Sequence, residues 1–225
     1  MDKEREGLFQ KGVGVNDLIL YKESLRPFYF RFLKRAFDVI FSLFILSTIF
    51  PVLYLVFGIL IKWTSSGPIL FKQRRSGLYG KEFECYKFRT MRLNAQSDTS
   101  PAKKDDPRKT QIGDFLRQRS LDEFPQFINV LLGDMSVVGP RPHMLMHTTQ
   151  YAALIDRYMA RHLVRPGITG WAQVTGYRGE IKRLGQMVGR VEKDMWYIKN
   201  WSFFLDLKIV FVTVVNMLKG EKDAY

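Results

Sequence analysis

Asp122 and Glu123 stand side by side in RSLDEFPQFINVLLGDMSVVGPRP, residues 119–142. Arg117 and Arg119 precede them, and Arg141 follows between two prolines. Adjacent acids in this company have two explanations. Ser120 and Glu123 have the spacing of a capping box, in which the serine caps a helix and the acid reaches back. That expectation accounts for Glu123 and leaves Asp122 and the arginines unexplained. The other explanation is chemical. Neighbouring helical residues point roughly 100° apart, so the two acids can share a site with different tasks. One serves as nucleophile or metal ligand, the other in proton transfer.

The cations suit an anionic substrate. Arg141 sits on a backbone stiffened by Pro140 and Pro142, and a guanidinium forks onto phosphate oxygens. In YKFRTM, strand alternation places Lys87 and Arg89 on one face and Phe88 on the other. Basic residues around carboxylates point to a diphosphate with a divalent ion between. The chain as a whole agrees, with 35 Lys+Arg against 22 Asp+Glu and a net charge of +13. Such an excess implies nucleic acid, anionic lipid or a phosphate-rich substrate as partner. Cys85 is the only cysteine, which excludes an intramolecular disulfide, and it reads as a small buried apolar residue. His143 and His147 are four apart but have no evident third ligand, and His162 reads as structural.

The elements that position these residues begin with VIFSLFILSTIFPVLYLVFGILI, residues 39–61, which carry no charge. About 20 apolar residues suffice to cross a bilayer. Arg31, Lys34 and Arg35 precede the segment, and Lys62, Lys72, Arg74 and Arg75 follow it. Positive charge at both ends favours one cytoplasmic side for both. Pro51, near the middle, removes a backbone hydrogen bond, and Ser47 and Thr48 are placed to bond the freed carbonyls. The expectation is a re-entrant helix–break–helix, with Asp38 pairing Arg35 or capping at one lip and Trp63 anchoring the other. A kinked single span is the alternative.

Residues 195–220 form a second apolar stretch, interrupted by Lys199, Asp206 and Lys208. Trp196, Tyr197, Trp201, Phe203 and Phe204 make an aromatic band suited to a helix lying in the membrane interface. Residues 69–91 alternate around SGLYGK and predict a β-hairpin. Residues 94–110 are polar and predict a surface loop. Apolar spacing predicts helices over 112–132, broken near Ser120, and over 146–162. RPGITGWAQVTG, 165–176, predicts a Gly-rich turn and a short strand. The fold class is α+β, mostly helical and membrane-associated, with a short β-hairpin and amphipathic interfacial helices. The expected division is an N-terminal arm (1–30), the membrane helix–break–helix (31–63), a catalytic domain (64–220) and a tail (221–225).

Four segments in this order carry a resemblance: SSGPILFKQRRSGLYGKEFECYKFRTM, RSLDEFPQFINVLLGDMSVVGPRP, RHLVRPGITGWAQVTG and DMWYIKNWSFFLDLKIV. They resemble the successive motifs of the bacterial sugar transferase family, the monotopic phosphoglycosyl transferases, over residues 31–220. The chain looks like a minimal member, without a multi-span N-terminal region. The resemblance implies transfer of a sugar 1-phosphate from a UDP-sugar to undecaprenyl phosphate, through a covalent phosphosugar–enzyme intermediate, with release of UMP. It implies Asp122 as nucleophile and Mg²⁺ ligand, Glu123 as its partner, and Lys87, Arg117 and Arg141 near the phosphates. It also implies the cytoplasmic face of the inner membrane, a lipid bilayer as partner, no functional nucleic acid, and a homodimer as one option. Phe50–Pro51 departs from the Ser-Pro break of that family. The competing function is a non-catalytic basic membrane adaptor or nucleic-acid binder, which would not depend on Asp122 or Glu123.

Overall fold

A computed structural model describes residues 28–93, 106–179, 181 and 183–219. The arm up to residue 27, most of the polar loop (94–105) and the tail lie outside the described residues.

The described chain opens with one long helix, α1 (Phe28–Thr64), followed by strands β1 (Leu70–Ser76) and β2 (Glu82–Phe88). Next come α2 (Gln111–Gln118), a 3₁₀ turn (Leu121–Glu123), α3 (Gln126–Leu132) and β3 (Ser136–Val138). Helix α4 (Leu145–Ala152), a 3₁₀ segment (Tyr158–Leu163), β4 (Gly167–Thr169) and α5 (Trp171–Val174) lead to α6 (Leu184–Lys199) and α7 (Phe203–Lys219). The architecture is α+β and mainly helical.

Helix α1 is long and apolar enough to cross a membrane. Asp38, Ser42, Ile45, Phe57, Gly58 and Ile61 are buried along one side, while Ile40, Phe44, Val52, Leu55 and Ile59 are exposed on the others. The helix is therefore apolar all round but docked on one face, the pattern of a helix with a second apolar environment. Its first turns are tied down by polar groups. Lys34 Nζ meets Asp206 Oδ2 at 2.7 Å and Val138 O at 3.0 Å. Arg35 donates to Val130 O and Leu131 O, satisfying the carbonyl end of α3. Asp38 accepts from Val137 N at 2.9 Å and Ser136 Oγ at 3.0 Å. The expected Asp38–Arg35 pair gives way to these contacts because β3 offers the carboxylate a backbone donor in the core.

The far half of α1 packs on the hairpin. Phe88 is 1% exposed and stacks on Phe50, with Phe57 edge-on. Each such ring pair adds about 0.5–1.5 kcal/mol beyond area burial. Helix α1 runs through Pro51 without interruption, where a break is expected. The Ser47 and Thr48 hydroxyls both donate to Phe44 O, at 3.2 and 2.6 Å, and not to the carbonyl of Ser47 that Pro51 leaves free. Hydroxyls bonded back in this way bend a helix without ending it.

The hairpin is antiparallel, with Leu70 opposite Phe88 and Ser76 opposite Glu82, and turns at Gly77–Lys81 as its sequence predicts. The free edge of β2 is gripped by Asn129 of α3, which accepts from Tyr86 N at 3.0 Å and donates to Glu84 O at 2.7 Å. Strands β3 and β4 pair in parallel, a contact that local pattern does not reveal. A Cβ on Gly167 would lie 2.0 Å from Gly139 N, so both backbones need glycine to meet. That contact fixes the root of the Pro140–Pro142 segment.

The predicted helix over 146–162 ends at Ala152, and Arg157 turns left-handed (φ 64°) into the 3₁₀ segment. The C-terminal apolar stretch is two helices, split around Ser202. Tyr197 and Trp201 are not interfacial as expected. They are buried and donate to Asp206, at 2.8 and 3.1 Å. Phe204, Leu207, Phe211, Val214 and Leu218 instead form an exposed stripe on α7 at alternating spacings of three and four. Cys85 is buried, as expected.

Candidate active site

Asp122 and Glu123 lie in the 3₁₀ turn between α2 and α3, 6% and 5% exposed. The expected capping box is absent. Ser120 is left-handed (φ 57°) and its side chain caps nothing, whereas a capping residue needs extended backbone. Its hydroxyl instead accepts from Arg178 Nη2. The tight turn brings both acids to one cavity.

Glu123 is saturated. Lys87 Nζ is 2.7 Å from Oε1, Arg141 Nη2 is 2.6 Å from Oε1, and Arg141 Nη1 is 3.1 Å from Oε2. Arg178 Nη2 stands 3.9 Å from Oε2. Asp122 is different. Its carboxylate has no hydrogen-bond partner among the described residues, and the cation nearest to it is Lys87, 3.8 Å from Oδ2. Burial alone would raise both acids. For Glu123, Arg141 and Lys87 outweigh burial and hold the carboxyl well below its usual range. For Asp122, burial wins over Lys87 and the carboxyl is pushed up. Two neighbours in sequence thus have opposite electrostatics. Glu123 is a fixed anion that orients cations. Asp122 is the more basic, uncommitted oxygen donor.

The cavity has a volume of about 310 Å³. The cations that line it include Arg75, Lys87, Arg117, Arg141, Arg178 and Arg190, beside the two carboxylates Asp122 and Glu123. Arg117 is steered by Thr90 Oγ1, which accepts from its Nε at 2.8 Å. Behind Arg141, a fully buried ion pair supports the loop. Arg161 Nη2 meets Asp194 Oδ2 at 2.7 Å and donates to Arg141 O at 2.9 Å. His143 packs on the same guanidinium and on Tyr158 Oη at 2.6 Å, and burial with Arg161 beside it holds the ring neutral.

Of the residues singled out by sequence, Asp122, Glu123, Lys87, Arg89, Arg117 and Arg141 meet at this cavity. Arg89 lines it with its guanidinium committed to carbonyl groups. Its guanidinium donates to Ser65 O, Ser66 O and Ile61 O, and so caps the C-terminal end of α1. It lies one residue beyond β2, where strand alternation no longer binds it to Lys87's face. Ser47 and Pro51 sit in α1, away from the cavity. Arg75, Arg178 and Arg190 were missed. Arg178 follows the Gly176 turn (φ 94°), and an arginine after a glycine turn was the available signal.

The sequence has known relatives. The profile described as "Bacterial sugar transferase" matches residues 29–220. The chain belongs to this family. A UDP-glucose:undecaprenyl-phosphate glucose-1-phosphate transferase of Escherichia coli (strain K12) is 51% identical over 198 residues, which is 87% of this chain and 42% of that protein. The exopolysaccharide production protein PSS of Rhizobium leguminosarum bv. phaseoli is 46% identical, over 84% of this chain and 97% of its own length. A UDP-N-acetylgalactosamine-undecaprenyl-phosphate N-acetylgalactosaminephosphotransferase of Aeromonas hydrophila is 42% identical, over 85% and 45%. The chain thus spans about two fifths of the first of these relatives. Bacterial sugar transferases with different sugars in their names resemble it to similar degrees.

Proposed function

We propose that the protein transfers a sugar 1-phosphate from a UDP-sugar to undecaprenyl phosphate, as an early membrane step of surface glycan synthesis. The observation that carries this reading is the uncommitted Asp122 carboxylate, buried at the edge of a cavity lined with cations.

In the first step an Asp122 carboxylate oxygen attacks the phosphorus that bears the sugar. The bond from that phosphorus to the oxygen of the nucleoside phosphate breaks, and UMP departs with the electron pair. Asp122 is left as a mixed anhydride carrying the sugar phosphate. In the second step a phosphate oxygen of undecaprenyl phosphate attacks the same phosphorus. The Asp122–phosphorus bond breaks, the carboxylate returns, and a lipid-linked diphosphosugar forms. Such chemistry is mostly positioning and charge neutralisation. Arg141 and Lys87, held by Glu123, face the diphosphate with their remaining donors. The depressed pKa of Glu123 supports a holding role for it in preference to proton transfer.

Mg²⁺ fits the donor set. Asp122 has free carboxylate oxygens, while no group of three or more acidic, His or Cys ligands occurs among the described residues. An ion at Asp122 would take its other ligands from phosphates and water, as Mg²⁺ usually does. When bound it would neutralise diphosphate charge as the phosphorus is approached.

The protein is further read as monotopic on the cytoplasmic face of the bacterial membrane, with α1 re-entrant. Support comes from the cations at both flanks of α1 and from the attachment of both its ends to one body, through Lys34 and Asp38 at one end and Arg89 at the other. The exposed stripe of α7 supplies a second apolar surface for the interface. A panel of UDP-sugars, scored for UMP release with and without undecaprenyl phosphate, tests the reaction. Activity in Asp122→Asn equal to wild type would remove the nucleophile assignment.

A further inference from the structure

Beyond the carboxylates the cavity has a further cation, Arg190. Arg190 of α6 is 6% exposed and lines the wall formed with His147, Tyr151, Ile181 and Met187. Its Nη2 donates to Gly179 O at 2.9 Å. Its Nε is buried without an acceptor, and no acceptor among the described residues meets its Nη1. Asp194, one helical turn further on, is no salt-bridge partner for it. The Oδ2 of Asp194 is engaged by Arg161 Nε at 3.1 Å and Nη2 at 2.7 Å. Burial, then repulsion from Arg141 and Arg161, lowers the Arg190 pKa to about 10. Buried guanidinium groups are ordinarily paired. One left uncompensated at a cavity wall has a place for an anion.

Its position says which anion. The strongest charged neighbours of Asp122 are Lys87, Glu123, Arg117 and Arg141. Those of Arg190 are Arg141, Arg161 and Asp194. Arg141 is common to both sets, and Asp122, Arg141 and Arg190 all line the one cavity. In phosphoryl transfer the attacking and leaving oxygens lie on opposite sides of phosphorus. A diphosphate whose sugar-bearing phosphorus is at Asp122 and Arg141 therefore extends its other phosphate away from Asp122, toward Arg190.

We propose that Arg190 is a substrate-contacting residue that binds the phosphate of the departing nucleoside monophosphate. Cleavage of the phosphorus–oxygen bond leaves its electron pair on that phosphate, which gains one negative charge. The unpaired donors of Arg190 receive it. Arg161 lies behind, as the positioning residue that holds Asp194 away from Arg190 and steadies Arg141. This rests on the reaction proposed above.

The test is equilibrium binding of UMP and of uridine to the full chain in nanodiscs, for wild type, Arg190→Gln and Arg190→Lys. Wild type should prefer UMP to uridine. Arg190→Gln should shrink that preference about ten- to a hundredfold, the range for a charge-assisted contact, with uridine affinity unchanged. Arg190→Lys keeps the charge and loses the planar fork, so it should weaken UMP selectively and less severely. If Arg190→Gln does not fold, Arg190→Lys decides, and unchanged UMP affinity there overturns the proposal. Equal weakening of UMP and uridine also overturns it, because it marks a mere brace for Gly179. A wild type that releases UMP, with the preference intact in Arg190→Gln, refutes this assignment alone. A wild type that releases no UMP from any UDP-sugar refutes the reaction.

Discussion

Neutralising the two adjacent acids should move stability in opposite directions. Asp122 is buried, has no hydrogen bond, and has a carboxyl pushed up by burial. Its ionised form therefore costs stability in the folded state at neutral pH. Asp122→Asn removes that charge in nearly the same volume and should stabilise the protein by about 1 kcal/mol, the lower end for relieving a poorly compensated buried group. At this chain length 1 kcal/mol shifts Tm by about 2–4 °C. Glu123 is the reverse, with Lys87 at 2.7 Å and Arg141 at 2.6 Å on one oxygen. Glu123→Gln leaves two partly buried cations facing a neutral amide. Breaking a buried pair in this way costs about 3–5 kcal/mol, so Tm should fall by roughly 6 °C or more. The assay is thermal unfolding of each variant in nanodiscs without substrate, beside transfer activity. Both variants should lose activity. If Asp122→Asn lowers Tm as much as Glu123→Gln does, Asp122 is a structural anion and the division of labour between them is wrong.

The pH dependence follows from the same pair. Glu123 has a depressed pKa, so its stabilisation is present above the unfolded value near 4.3 and is lost as pH falls through its lower folded value. Asp122 has a raised pKa, so stability should rise as pH falls through its folded value, and this gain should vanish in Asp122→Asn. Denaturant titrations of both chains across pH 3–8 read the difference. Asn129→Ala removes bonds to Tyr86 N and Glu84 O and loosens β2, so KM for the UDP-sugar should rise through Lys87 while Asp122 still reacts; steady-state kinetics check this. Gly167→Ala places a Cβ 2.0 Å from Gly139 N and should yield little folded protein, as judged by size-exclusion recovery. Chelation of divalent ions should abolish UMP release, and added Mg²⁺ should restore it.

Local chemistry was legible in the sequence. Acids beside arginines, a proline-braced Arg141, an alternating hairpin and a charge-free apolar segment each depend on near neighbours, and each is found where expected. Long-range partners were not legible. Ser120 and Glu123 have capping-box spacing, yet Arg178, 58 residues away, takes the Ser120 hydroxyl and the backbone turns left-handed. Strand alternation says nothing of the carbonyl end of α1, to which the Arg89 guanidinium at the cavity wall donates. Tyr197 and Trp201 read as an interfacial band because composition does not show that Lys34 and Asp206 meet beneath them. Arg190 sits among the apolar residues of α6, and only the fold brings it to the cavity.

Intact-protein mass spectrometry with a UDP-sugar, in the absence of undecaprenyl phosphate, tests the central claim most directly. The account predicts an added mass equal to one sugar phosphate, mapped to the peptide containing Asp122, absent from Asp122→Asn and discharged by the lipid phosphate. Transfer by the wild type without that adduct, or an adduct that survives in Asp122→Asn, would contradict it.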